Sequence, residues 1–94
     1  MTIKNSDDTK KGSFYIEVDG KTAATMTYVY AGPKLIIIDH TEVGAQLKGM
    51  GAGKKLVEQA VLFARKNDLK ILPLCPFAKS VFDKTPEFQD ILSR

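Results

Sequence analysis

The stretch Lys34-Leu35-Ile36-Ile37-Ile38-Asp39-His40-Thr41-Glu42-Val43-Gly44-Ala45-Gln46-Leu47-Lys48-Gly49-Met50-Gly51-Ala52-Gly53-Lys54 decides the architecture of the chain. Leu35 to Ile38 are aliphatic without interruption, which predicts a central strand over Lys34 to Thr41 covered on both faces. A glycine-rich passage follows. Beyond it Gly51 to Asn67 has helical spacing, with Leu56, Ala60, Phe63 and Ala64 in one stripe widened by Val57 and Val61. Arg65 and Lys66 in the last turn, and Asn67-Asp68 just beyond, suit a helix C-terminus. Lys70 to Leu74 is short, apolar and followed by Pro76, so it reads as another strand that stops abruptly. Strand, helix, strand in one sheet demands a right-handed crossover, which sets Ile71-Leu72 parallel to Ile36-Ile37-Ile38.

Upstream, Phe14, Ile16 and Val18 alternate with Tyr15 and Glu17, and Asp19-Gly20 supplies the positive φ angles of a tight hairpin. The return strand, Lys21 to Tyr30, places Ala24, Met26, Tyr28 and Tyr30 on one face, and Gly32-Pro33 makes the next turn. Met1 to Lys11 is polar with neither hydrophobic period, a loose terminus or a weak edge strand. Downstream, Phe77 to Leu92 is expected to form one or two short helices interrupted at Pro86, with Val81, Phe82, Phe88, Ile91 and Leu92 inward. The predicted class is α/β in the α+β sense: an antiparallel strand meander, then a β-α-β unit with a central helix and short C-terminal helices. Residues 1–94 form a single domain, since a chain of 94 residues has room for one core.

With 44% hydrophobic and 27% charged residues, a disordered chain is excluded. No apolar run approaches the roughly 20 residues that cross a bilayer, and Met1 to Gly12 is unlike a signal peptide. A cytoplasmic protein without a membrane partner is expected. One cysteine rules out an internal disulfide, and one cysteine with one histidine is too few for a tetrahedral zinc site, so no metal is expected. Fourteen basic against eleven acidic residues give +3, which suits a small anionic ligand. The dense basic stripe and interleaved aromatics of a nucleic-acid binder are not evident, and no nucleic-acid partner is expected. A domain of this size has a small stability margin that a bound ligand or second subunit would widen; a monomer or a weak homodimer fits.

Gly49, Gly51 and Gly53 allow consecutive amides to turn toward one point at the positive end of the helix dipole, an anion cradle. The same glycines would equally serve a tight strand-to-helix turn. The loop is not a P-loop, because Gly53-Lys54 is followed by Lys55. Nor is it a dinucleotide fingerprint: its third glycine comes too early, and the strand before it is the third of a meander.

Lys48-Gly49-Met50-Gly51-Ala52-Gly53 resembles the acetyl-coenzyme A pyrophosphate loop of the GNAT N-acetyltransferase superfamily, Gln/Arg-x-x-Gly-x-Gly/Ala, with lysine in first place. The lysine keeps the charge and loses the planar fork. With His40-Thr41-Glu42-Val43, Leu56-Val57 and Leu74-Cys75-Pro76-Phe77, the likeness extends from Tyr28 to Leu92 and narrows to the short GNAT-like acetyltransferases. That resemblance implies acetyl-coenzyme A as cofactor and transfer of its acetyl group to a primary amine on a small molecule or a protein. It implies that the backbone around Glu42 and Val43 holds the pantetheine arm. It further implies that the amides of Gly49, Met50, Gly51, Ala52, Gly53 and Lys54 take the pyrophosphate, with Lys48 and Lys54 adding charge. Lys55 is better read as solvated helix face.

Two residues are placed for chemistry by topology, His40 at the end of one parallel strand and Cys75 at the end of its neighbour. Adjacent strands lie roughly 5 Å apart, so the two would approach hydrogen-bonding distance if both point to one side. Such a pair gives a thiolate that accepts an acetyl group, or a histidine that deprotonates an amine. Equally, a cysteine fills core space and a strand-end histidine is merely hydrogen-bonded. Glu42 is a further candidate base. The wider superfamily resemblance implies a tyrosine acid in the helix after the last parallel strand, but Val81-Phe82-Asp83-Lys84 puts a phenyl ring there, which donates no proton. The rings of Tyr28 and Tyr30 are expected to cover the core. Phe82, and a frame too short for the extra helices and closing hairpin that wall the superfamily's acceptor site, leave a second reading: a non-catalytic coenzyme A-binding or regulatory module.

Overall fold

The structure is a computed structural model that describes residues 2–93. Strands β1 (Lys4–Asp7), β2 (Lys11–Val18), β3 (Lys21–Tyr30) and β4 (Leu35–Val43) are followed by helix α1 (Ala52–Lys66), strand β5 (Lys70–Pro73) and helix α2 (Pro76–Lys84). Short 3-10 segments cover Ala45–Leu47 and Pro86–Ile91. The five strands form one sheet in the order β1-β2-β3-β4-β5, antiparallel except for the parallel β4–β5 pair that α1 connects. This is the expected α+β architecture, and part of the polar N-terminal stretch forms the edge strand β1. Met1 lies outside the described residues.

Local chemistry accounts for the elements. Val18 stands opposite Lys21 across a two-residue turn, and Asp19 (φ 53°) and Gly20 (φ 77°) both take the left-handed conformation that such a hairpin needs. One face of the sheet, carrying Phe14, Ile16, Met26, Tyr28, Ile36 and Ile38, is buried against the apolar stripe of α1. Leu56, Val57, Ala60, Val61 and Ala64 fill that stripe, while Phe63 sets its ring edge-on to Phe14 at 5.5 Å. A fully buried Leu or Ile contributes about 1.5–3 kcal/mol here. Val81, Phe82, Phe88 and Ile91 complete the core from the C-terminal segments, with Leu92 partly buried.

The central strand is covered on one face only, contrary to the expectation from its aliphatic run. Ile36 and Ile38 are buried, but Leu35 and Ile37 are half-buried on the other side. The right-handed crossover sends α1 to one face, α2 packs beside it, and among the described residues the hairpin connections of β1 to β4 supply nothing to cover the opposite one.

β5 stops at Pro73, one residue before the expected end. The Ile38 carbonyl accepts from both Leu74 N–H (3.0 Å) and Cys75 N–H (3.1 Å), which closes the parallel ladder. Along the outer edge of β5, Ile71 O accepts from Ser93 N–H at 2.8 Å and Pro73 has no donor, so that edge offers little to a further strand. Arg65, in the last turn of α1, grips both carboxylate oxygens of Asp90 (3.1 and 2.9 Å) and the Glu87 carbonyl (2.7 Å), docking the C-terminal segment. Among the described residues no helix is long and apolar enough to cross a membrane.

Candidate active site

The site begins where β4 and β5 part. They pair from Leu35–Lys70 to Ile38–Pro73; beyond that, β4 continues to Val43 bonded only to β3, leaving its other edge open. A bulge starts this section. Thr27 pairs with His40 but Tyr28 pairs with Ile38, so Asp39 is an extra residue, its carboxylate accepting from Thr27 Oγ1 at 2.6 Å. After the bulge Thr41, opposite the buried Met26, points toward the helices, while His40 and Glu42, opposite Thr27 and Thr25, point to the uncovered face.

At the wide end Gly44 tucks beneath β3, its N–H on Ala23 O at 2.7 Å, and the segment Ala45–Leu47 buries Leu47 before the glycine loop. Gly51 caps α1 in the left-handed conformation (φ 72°), which favours glycine. Lys55 N–H makes the bond to Gly51 O at 3.0 Å, and Met50 N–H is spent on Leu47 O at 3.3 Å. The N–H groups of Gly49, Gly51, Ala52, Gly53 and Lys54 have no carbonyl partner among the described residues. The expected cradle therefore keeps all its donors except that of Met50. Lys48, Gly49, Gly51, Gly53 and Lys54 line a cavity of about 470 Å³ that Val43 joins from β4 and Phe77 from α2. An anion there would meet unspent amides, the positive end of the α1 dipole and two ammonium groups without displacing any protein hydrogen bond.

At the narrow end Cys75 is the N-cap residue of α2, following directly on the β5 ladder. It is buried, and its thiol donates to Thr41 Oγ1 at 3.4 Å. Burial pushes this thiol up, but the Thr41 side chain and the main-chain N–H groups of Ala78, Phe77 and Thr41 favour the anion and hold it net below its ordinary range. A thiol at a helix N-terminus with several donors is suited to nucleophilic work.

The structure does not pair Cys75 with His40. His40 is exposed on the far face of the sheet, with Nε2 2.9 Å from Glu42 Oε1, and Cys75 finds Thr41 instead. The cause is the Asp39 bulge: one inserted residue exchanges the faces of everything after it. Thr41, not singled out in the sequence, therefore takes the place expected of His40 beside the sulfur. Nothing in the sequence pattern marks a bulge at that position.

A family model described as GCN5-related N-acetyl-transferase matches residues 13–91. The chain belongs to the GCN5-related N-acetyltransferase family. Protein NATD1 of Xenopus tropicalis is 29% identical over 86 residues, covering 90% of this chain and 79% of the relative. NATD1 of Danio rerio is 30% identical over 88 residues, covering 93% and 80%. The NMR structure of a GCN5-like protein from Staphylococcus aureus is 38% identical, with a TM-score of 0.76, and the match covers 98% of this chain and 87% of that one. Tetrahymena GCN5 shares the fold, with a TM-score of 0.66 at 20% identity over 82% of this chain and 51% of its own.

For a GCN5-related N-acetyltransferase, the remaining candidates sort cleanly. Phe82 is fully buried with its ring 5.9 Å from Phe88, facing a groove with Leu72, Pro86 and Gln89 rather than the cavity at the glycine loop. The hydroxyls of Tyr28 and Tyr30 both donate to Asp7 Oδ2, at 2.6 and 2.7 Å, and Asn5 Nδ2 donates to Tyr28 Oη at 3.1 Å. Burial, and then the bond to Asp7, raise both phenols, that of Tyr30 to about 12. These tyrosines stay protonated and pin β1 to the sheet. Lys48, in the first place of the family loop, lines the cavity.

Proposed function

We propose that this chain is an acetyl-coenzyme A-dependent N-acetyltransferase acting on a primary amine, with Cys75 as transient acyl acceptor and His40 as base. What supports it is a single arrangement: β4 and β5 separate after Ile38, with a row of unspent amides at the wide end and the Cys75 thiol at the narrow end. A diphosphate fits the donors of Gly49, Gly51, Ala52, Gly53 and Lys54, with Lys48 and Lys54 supplying charge. The open edge of β4 at Glu42 and Val43 can pair with the amides of a pantetheine arm as a strand would. When bound, acetyl-coenzyme A supplies an activated thioester.

The chain's own residues then divide the work between the two faces of the sheet. The Cys75 thiolate, stabilised by Thr41 and the first amides of α2, attacks the thioester carbon; a new S–C bond forms, and the coenzyme departs as its thiolate, which takes a proton from water. An amine approaching from the uncovered face attacks the acetyl-cysteine carbonyl, the S–C bond breaks, and Cys75 returns as thiolate. His40, oriented by Glu42 on that face, takes a proton from the ammonium form of the incoming amine before it attacks, and the new amide nitrogen sheds its remaining proton to water. With no helix over that face among the described residues, the acceptor is an open-surface small-molecule or protein amine, with no call for nucleic acid or membrane and with a monomer or weak homodimer sufficient. A free thiol in this role needs the reducing cytoplasm.

Buried Phe82, in place of a phenolic acid, favours a second reading, a coenzyme A-binding module without transfer. Both are tested by titrating coenzyme A while recording backbone amides, then weighing the intact protein after exposure to acetyl-coenzyme A. The transferase predicts shifts at Gly49, Gly51 and Gly53, a mass gain of one acetyl group that Cys75→Ala abolishes, and turnover on an amine panel. Undisturbed loop amides at about millimolar ligand would overturn both readings. Shifted amides without acylation or turnover would leave the binding module.

A further inference from the structure

Gly53 differs from the other glycines of its loop. Gly49 and Gly51 have left-handed backbone angles and open space where a Cβ would stand, whereas Gly53 is an ordinary helical residue whose Cβ would lie 2.5 Å from Phe77 Cζ and 2.7 Å from Cε2. The distal end of the Phe77 ring thus lies against the first turn of α1, in the space a side chain at position 53 would fill. Phe77 is 42% exposed, although a phenyl ring on a small domain is normally buried more deeply. Phe77 lines the cavity of the glycine loop, but Cys75, the buried N-cap residue of the same helix two positions earlier, does not.

We propose that Phe77 is the partition of the cofactor groove: its ring, seated on Gly53, separates the amide cradle from the Cys75 thiol and must swing aside before a thioester can reach the sulfur. On this view position 53 is glycine to seat the ring, and not to admit phosphate. A ring held on one side by a helical glycine and open to solvent on the other rotates about its side-chain bonds without disturbing the main chain. The Phe77 N–H that faces the Cys75 sulfur therefore stays in place while the passage opens. The role of the passage rests on the function proposed above; the placement of the ring does not.

The test uses the cofactor-free full chain and the alkylation rate of Cys75 by iodoacetamide. It is read at a pH high enough for the thiol to be fully ionised, so that access alone sets the rate. Phe77→Ala is expected to raise that rate about tenfold, because the thiolate becomes reachable. Gly53→Ala, which expels the ring, should raise it in the same direction, and the double variant should match Phe77→Ala alone, since both changes remove one barrier. Circular dichroism confirms that each variant is folded, and Phe77→Leu serves if alanine unfolds the helix start. Rates for Phe77→Ala and Phe77→Leu within about twofold of the parent would overturn the partition, whatever the coenzyme A titration gives. Conversely, a clear rise in alkylation with no coenzyme A binding would leave the partition standing and remove the transferase.

Discussion

The Cys75 thiol meets the Thr41 hydroxyl at 3.4 Å across the mouth of the splayed strands, on the face of the sheet that His40 turns away from. The sulfur therefore owes its acidity to a hydroxyl and a helix start rather than to an imidazole. Thr41→Val, nearly the same size, removes one of the donors that lower the thiol. The expected result is an upward shift of the Cys75 titration, followed through the pH dependence of alkylation, with the fold unchanged. Linkage gives a second readout. A group whose folded value is depressed stabilises the fold above its unfolded value, about 8.5 for a thiol, and loses that contribution as pH falls through the folded one. Denaturant midpoints should therefore rise from neutral to alkaline pH in the parent and rise less in Thr41→Val. A thiol unmoved by this change would mean that main-chain N–H groups, those of Phe77 and Ala78 in α2 and of Thr41 in β4, set its acidity without the hydroxyl.

His40 and Cys75 on opposite faces predict separable defects. His40→Gln should leave acetylation of Cys75 at its parental rate and slow transfer to the amine about a hundredfold, the usual order for a lost positioned base. Rapid mixing with acetyl-coenzyme A, quenched and weighed with and without acceptor, separates the two steps. Equal slowing of both would place the imidazole at the sulfur and contradict the register of β4.

What the sequence disclosed, and what it hid, follows from how many residues carry each signal. α1 was legible because Leu56, Val57, Ala60, Val61 and Ala64 repeat one period over more than two turns, and the β2–β3 hairpin because Asp19-Gly20 has few other conformational uses. The parallel pairing of β4 with β5 followed from the crossover rule. The loop glycines announced a cradle, yet that Met50 spends its amide on Leu47 is a matter of one local turn. Least legible was the Asp39 bulge, a single residue with no mark in the hydrophobic pattern, and it decides which of His40 and Thr41 faces the thiol. The one-sided cover of Leu35 and Ile37 was also hidden, because an aliphatic run does not say how many helices the rest of the chain can supply.

At the other edge of the sheet, Asp7 holds the hydroxyls of Tyr28 and Tyr30. Partial burial pushes its carboxyl up, but these two donors and the Thr9 N–H outweigh that and leave it net lowered. The sign follows: stability from Asp7 is fully present above the unfolded value, about 3.9, and is lost as pH falls through the lower folded value. Tyr28→Phe removes one donor and the bond to Asn5, at a cost of about 1 kcal/mol at neutral pH. The gap between parent and variant should narrow on acidification below about pH 4, as Asp7 protonates. A gap of constant size from neutral to acid would show that the phenol acts by packing alone.

Gly12 makes that tyrosine possible. A Cβ there would lie 2.5 Å from Ser6 O and 2.5 Å from Tyr28 Oη, so alanine must push either the β1 backbone or the buried ring. Gly20, by contrast, has open space and a left-handed φ of 77°. Alanine at position 20 meets only conformational strain, about 1 kcal/mol. Alanine at position 12 meets overpacking, about 1–3 kcal/mol, and melting curves should place it below the Gly20 variant. The two also differ in their response to Tyr28→Phe. Deleting the hydroxyl should recover part of the loss in Gly12→Ala, where the new methyl and Oη compete for one space, and none of it in Gly20→Ala, where no contact is shared. Strict additivity of Gly12→Ala and Tyr28→Phe would show that the hydroxyl carries none of the clash, which would then fall on the Ser6 carbonyl and on the ring carbon Cζ, 2.6 Å from the same point.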